Sequence, residues 1–149
     1  MSERYFNRRE AEQLLPVIEP LLEEARRQKE KLDVLKEEMS RNLSRIMVLG
    51  GSLPPYGEIS QQRTEHDKVR EELTQTIKRI QETGCLVKDL DIGLIDFPCL
   101  MGGEEVYLCW KLGERRIEFW HGVDEGFAGR KPLDESAPDE SPPSGSRLQ

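Results

Sequence analysis

Gly84 separates two hydrophobic rhythms in this chain. Before it, apolar residues recur in steps of three and four, at Leu14, Ile18, Leu21, Ala25, Leu32, Leu35, Met39, Ile46 and Leu49; after it, in CLVKDLDIGLIDFPCLMGGEEVYLCWKLGERRIEFWH, they recur in steps of two. The first spacing lines one stripe of a helix and the second one face of a pleated strand. A chain that runs through helices and then through strands reads as an α+β fold, here a long antiparallel helical hairpin packed against a small antiparallel β-meander. With 149 residues it has the length of one domain. The pattern places helices over 7–49 and 59–83, a meander over 85–121, one domain over 1–130 and a disordered tail over 131–149, where KPLDESAPDESPPSGSRLQ has almost nothing apolar to bury.

Asn7 with Glu10 three residues on has the form of a capping box, and Phe6 is placed to staple onto Ala11. Pro16 and Pro20 each remove a helical donor and disfavour the helical conformation of the residue before, so a break is expected near Leu15 and a longer segment from Pro16 to Val48, ended by Gly50 and Gly51. GGSLPPYG, residues 50–57, is the turn. The second seam is Ile59, His66, Val69, Leu73, Ile77 and Ile80. A turn centred near residue 54 sets Leu35 opposite Leu73, Met39 opposite Val69 and Asn42 opposite His66, a polar layer that would fix register.

In the meander, two-residue turns at Gly102-Gly103 and Gly113-Glu114 pair Cys99 with Val106, Phe97 with Leu108, Ile95 with Trp110, Trp110 with Ile117 and Leu108 with Phe119. One face then collects Ile95, Phe97, Cys99, Val106, Leu108, Trp110, Ile117 and Phe119, with His121 at its margin beside Val106. The other carries Asp96, Tyr107, Cys109, Lys111, Arg116, Glu118 and Trp120 and reads as half solvated.

Charge narrows the partners. The net charge is -7, with 15 Lys+Arg against 16 Asp+Glu in residues 1–84, 5 against 9 in 85–130 and 2 against 4 beyond. No basic stripe is present, which disfavours nucleic acid as a partner. Cys85, Cys99 and Cys109 form no CxxC pair, against a zinc ribbon or a disulfide framework. With no apolar run near 18 residues and no basic-then-apolar leader, neither a membrane span nor a signal peptide is expected, and the cytoplasm is the expected compartment. Phosphate-binding glycine loops, GxSxG and HExxH are missing.

The candidate chemistry gathers in FWHGVDEGFAGR, residues 119–130. His121 and Asp124 offer an imidazole and a carboxylate to a divalent metal, with Asp89, Asp91, Asp96 or Glu125 to complete the set. The competing interpretation has His121 ending a strand, Asp124 forming a turn and the glycines letting the backbone double back. Trp110, Trp120, Arg130 and Asp96 are the candidate ligand-binding residues: arginines near tryptophans can stack on a ligand or clamp an anion. Alternatively Arg130 pairs with Asp124 or Glu125 and pins the loop to the sheet. Cys99 and His121 would share a face two strand spacings, roughly 10 Å, apart, too far for a thiol and its base. Cys85 and Cys109 are expected to be more exposed and acquire no role.

FNRREAEQLLPVIEPLLEE, LVKDLDIGLIDFP and EVYLCWKLGERRIEFWHGVDEGFAGRKPL together resemble the uncharacterised prokaryotic family called domain of unknown function 2203, over roughly residues 4 to 133. The resemblance implies a small cytoplasmic prokaryotic protein with a long helical hairpin and a short antiparallel sheet, and brings no established activity. It marks Asp89, Asp91, Asp96, Phe97, Pro98, Trp110, Gly113, Glu114, Trp120, His121, Gly126 and Arg130, which concentrates any site on the sheet and its loops. No cofactor is required by these motifs, although a divalent metal has ligands available.

The first seam outruns the second, and a second copy covering Leu14, Leu21 and their neighbours across a two-fold axis would complete a four-helix bundle. The expected function is therefore a small binding or assembly module, a homodimer through its helices and not an enzyme, with an unknown small-molecule ligand. The alternative is a metal-dependent enzyme or metal-binding protein with its site near His121 and Asp124.

Overall fold

The computed structural model describes residues 4–49 and 56–133. Two helices, α1 (Arg8–Leu49) and α2 (Tyr56–Gln81), precede five strands: β1 (Leu86–Asp89), β2 (Leu94–Met101), β3 (Glu104–Lys111), β4 (Phe119–Gly122) and β5 (Lys131–Pro132). The strands form one antiparallel sheet in the order β1-β2-β3-β4-β5, with a 3-10 turn, Phe127–Gly129, before the last. Residues 50–55 of the inter-helix segment and 134–149 of the C-terminal tail lie outside the described residues.

Helix α1 starts at the capping box: the Glu10 amide donates to Asn7 Oδ1 at 2.7 Å and the Asn7 amide to Glu10 Oε1 at 3.0 Å. Phe6, fully buried, ties this end to the sheet by donating its amide to the Pro98 carbonyl (2.7 Å) and meeting the Phe97 ring edge-on at 5.2 Å. Pro16 and Pro20 do not break the helix, which is continuous through both. They sit four residues apart on its exposed side, so each removes a helical donor where the residue is not buried in the core. On the opposite side Ala11, Ile18, Leu22 and Ala25 are buried in the core and hold the helix across the gap.

The 42 residues of α1 span about 63 Å at ~1.5 Å each, whereas an eight-residue strand such as β2 covers only about 27 Å. The sheet therefore covers one half of the hairpin. Phe6 to Ala25 and Ile80 join Ile95, Phe97, Cys99, Val106, Leu108, Trp110 and Ile117 in one buried cluster. Beyond it the arm buries Leu32, Asn42 and Val69. Asn42 donates to Gln62 Oε1 at 2.8 Å, so its partner lies one helical turn before His66, the residue expected opposite it. His66 instead approaches its neighbour Asp67 at 3.4 Å.

Register in the first hairpin is as the spacing predicts, with Ile95 opposite Trp110, Phe97 opposite Leu108 and Cys99 opposite Val106. The second differs by one residue. Gly113 adopts φ +104, the left-handed conformation of a turn, but the chain does not return at Glu114. A loop intervenes, in which the Glu114 side chain accepts from the Lys111 amide (2.8 Å) and its carbonyl from Trp110 Nε1 (3.0 Å). Farther along, the Ile117 amide donates to Glu12 Oε2 of α1 at 2.9 Å. Strand β4 consequently pairs Val106 with Gly122, Tyr107 with His121, Leu108 with Trp120 and Cys109 with Phe119. A one-residue slip reverses every side chain: Phe119 and His121 leave the helix-facing side, Trp120 joins it half-buried, and Ile117 reaches the core from the loop. The sheet also continues past Arg130, since β5 pairs with β4 and the Leu133 amide donates to the Glu118 carbonyl at 2.8 Å.

Candidate functional site

The slip in β4 brings three chemically distinct groups together on the side of the sheet away from the helices. Asp96 of β2 and Cys109 of β3 are direct cross-strand partners, and His121 of β4 stands beside them. All three are buried, at 1%, 0% and 2% exposure, and one ligating atom from each lies within 4.8 Å of the others. The face expected to be half solvated thus encloses an aspartate, a cysteine and a histidine, and Cys85 and Cys109, expected nearer the surface, are both fully buried.

Neighbouring side chains close this face. The Tyr107 ring meets the His121 ring edge-on at 5.6 Å, and Lys88 Nζ lies 4.8 Å above the Tyr107 ring. Arg130 lies on Phe119 (4.0 Å) and against Phe127 (4.8 Å), with one guanidinium nitrogen on both oxygens of Glu114 at 2.7 and 2.9 Å. This stacked, charge-assisted contact joins the last strands to the β3–β4 loop. Its acidic partner is Glu114 rather than Asp124 or Glu125; it is Lys131 that pairs with Glu125, and this pairing holds the Glu125 carboxyl below its usual range.

The hydrogen bonds of His121 determine where protons sit. Nδ1 lies 2.9 Å from the Gly122 carbonyl, an acceptor only, so Nδ1 carries hydrogen. Nε2 lies 3.0 Å from both Asp96 oxygens, with Oδ1 in the hydrogen bond, and the Cys109 thiol is a second side-chain partner of the same carboxyl. Nε2 and a carboxylate oxygen cannot face each other as two bare lone pairs, so one proton is shared between them. Whether written as carboxyl and imidazole or as carboxylate and imidazolium, the pair is neutral overall, which suits its burial. Burial pushes the Asp96 carboxyl above its usual range, an effect opposed by His121. Burial first, then the Asp96 charge, pushes the Cys109 thiol up to about 12. At neutral pH Cys109 is therefore a thiol and not a nucleophile.

The remaining sequence candidates lie apart from this cluster. Asp124 is exposed. Asp89 accepts the Asp91 amide at 3.0 Å in the β1–β2 turn, and Asp91 pairs with Lys29 of α1 at 2.8 Å. Trp110 is buried with its indole N–H committed to the Glu114 carbonyl, and half-buried Trp120 lies under Lys131 at 4.7 Å. Of the metal candidates the structure brings His121 to the cluster, and of the ligand-binding candidates Asp96. Cys109 was missed although the expected β2–β3 register already sets it opposite Asp96, because only the β3–β4 register brings His121 to the pair and turns it into a cluster.

A helical hairpin covering one side of a five-stranded antiparallel meander, with an Asp–Cys–His cluster enclosed on the other, defines an α+β protein with a buried titratable cluster on the outer face of its sheet. The chain belongs to the family of uncharacterized conserved proteins DUF2203, whose model matches residues 4–133. No curated protein and no solved structure matches it. Among the described residues, no helix is long and apolar enough to cross a membrane.

Proposed function

We propose that the protein is a small cytoplasmic binding and assembly module, not an enzyme, that forms a homodimer through the distal half of its helical hairpin. The observation that carries this reading is the exposed apolar flank near the end of α1. Leu43 and Met47 are 54% and 83% exposed beside half-buried Met39 and Ile46. The positions 39, 43, 46 and 47 fall on one side of a helix. Leu14 and Leu21, expected at the interface, pack against the core instead, which moves the proposed contact outward along the arm. Two helices beyond the reach of the sheet have little with which to cover such a flank, and a second copy turned about a two-fold axis supplies two more. The three cysteines are free, as suits a reducing compartment. Neither nucleic acid nor membrane enters this reading.

Sedimentation equilibrium over a concentration series tests it. The expected result is a reversible dimer that becomes monomeric in the Leu43→Glu/Met47→Glu double variant with helical circular dichroism unchanged. A monomer at every concentration, or a double variant that keeps the dimer mass, overturns it.

A further inference from the structure

We propose that Asp96, Cys109 and His121 form a buried site for one divalent transition-metal ion of the zinc type, which takes the place of the proton shared by Asp96 and His121. This moves the metal reading away from Asp124, Asp89 and Asp91, and it stands independently of dimer formation.

The first support is the histidine's orientation. A metal-bound imidazole characteristically gives its second ring N–H to a carbonyl or carboxylate, which fixes the tautomer. Here the Gly122 carbonyl takes Nδ1–H at 2.9 Å and directs the Nε2 lone pair into the cluster. The second is the Asp96 carboxyl: it is buried, both its oxygens lie 3.0 Å from Nε2 and the Cys109 thiol is hydrogen-bonded to it, so the three ligating groups already converge on one place. A cation bound there replaces the hydrogens through which they meet.

Distances and donor types agree. Nε2 and the Asp96 oxygens are 3.0 Å apart, close to the ~3.3 Å between two ligands of tetrahedral zinc with bonds of about 2.0–2.1 Å. The sulfur is within 4.8 Å of both, so a rotation about the Cys109 side chain is the main adjustment. A nitrogen, sulfur and oxygen set matches zinc or cobalt and not magnesium or calcium, which favour oxygen alone.

Charge balance favours the exchange. Before binding, the cluster holds one proton between Asp96 and His121 and another on the Cys109 thiol, and is neutral. A dication that displaces both meets one carboxylate, one thiolate and one neutral imidazole, and the site is neutral again. Two protons leave to solvent, and no net charge is added to a buried place. Three protein ligands leave a fourth position for water. Tyr107, half-buried with its ring edge-on to His121, is the side chain whose swing would admit the ion.

The test uses full-length protein without a histidine tag, stripped with chelator and titrated with cobalt(II), then with zinc(II). The expected result is one cobalt per chain with visible bands of four-coordinate geometry and a near-ultraviolet thiolate-to-cobalt band. Zinc should displace it, with two protons released per zinc bound by stripped protein. Cys109→Ser should lose the thiolate band and weaken binding by more than the roughly 10–100-fold that loss of an outer partner costs, while Asp91→Asn and Asp124→Asn bind as before. If Cys109→Ser does not fold, the Cys85→Ser/Cys99→Ser variant decides, because its sole thiol is Cys109: the thiolate band must persist there. No stoichiometric cobalt, a bound ion without the thiolate band, or undiminished binding in folded Cys109→Ser overturns the proposal.

Discussion

On the helix side of the sheet, Phe97 of β2 and Leu108 and Trp110 of β3 are buried in one cluster with Ile18, Leu22 and Ile80; on the other side β2, β3 and β4 bury Asp96, Cys109 and His121. The degree of burial is the same, but what it does to stability is not. For an apolar side chain, removal from water is favourable by itself, at roughly 25 cal/mol per Å2 of apolar surface. For Asp96 it is unfavourable until a partner offsets it. The inner face is stabilised by area and close packing, the outer one by whether each group finds its complement.

Substitutions that separate these two regimes should differ in size and in kind. The largest effect is expected from Phe97→Ala, which leaves a cavity beneath Phe6 and should cost about 3–5 kcal/mol in urea unfolding. A loss below about 1 kcal/mol would show that this face is not the main core.

On the outer face, His121→Ala strands the Asp96 carboxyl and should cost about 1–3 kcal/mol, as for an unsatisfied buried polar group. Asp96→Asn should cost under about 1 kcal/mol, because an amide N–H can donate to Nε2 in the tautomer that the Gly122 carbonyl imposes. The contrast sharpens the account of the shared proton. If Asp96→Asn proves as damaging as His121→Ala, the pair is a carboxylate facing an imidazolium, and a neutral amide cannot replace it.

The two faces were also unequally legible. Phe97, Leu108 and Trp110 could be read as core because a period of two and the Gly102-Gly103 turn are local signals, and together they set the β2–β3 register without reference to the rest of the chain. The outer cluster depends on β4, whose register is set by a contact from far away: Glu12 of α1 receives the Ile117 amide, 105 positions along the chain, and draws the loop beyond a two-residue turn. Gly113 correctly marked a turn but not its length. The uninterrupted α1 has the same kind of cause. Two prolines ordinarily end a helix, but here their shared exposed side faces water while Ile18 and Leu22 are fixed by a sheet that folds from residues far downstream. The misplaced Asn42 partner has a different origin, the uncertain centre of the inter-helix turn, which moves the pairing by one helical turn.

Two thiols belong to the apolar side, and their effect on stability emerges only at alkaline pH. Burial pushes Cys85 and Cys99 up to about 11, from an ordinary thiol value of 9.0. Because the folded protein holds these protons more tightly than the unfolded chain, their contribution to stability is complete below about pH 9 and is lost as pH rises toward 11. The melting temperature should therefore show an alkaline decline that begins above pH 9 and becomes shallower in Cys85→Ala/Cys99→Ala when each variant is compared with its own value at pH 8. The same burial predicts that a thiol-specific reagent at pH 8 modifies these cysteines only as fast as the protein opens. Rapid labelling in the native state would place Cys85 or Cys99 at the surface and remove the distinction between a face closed by packing and one closed by pairing. An alkaline limb unchanged in the double variant would assign the decline to other groups and leave that distinction standing.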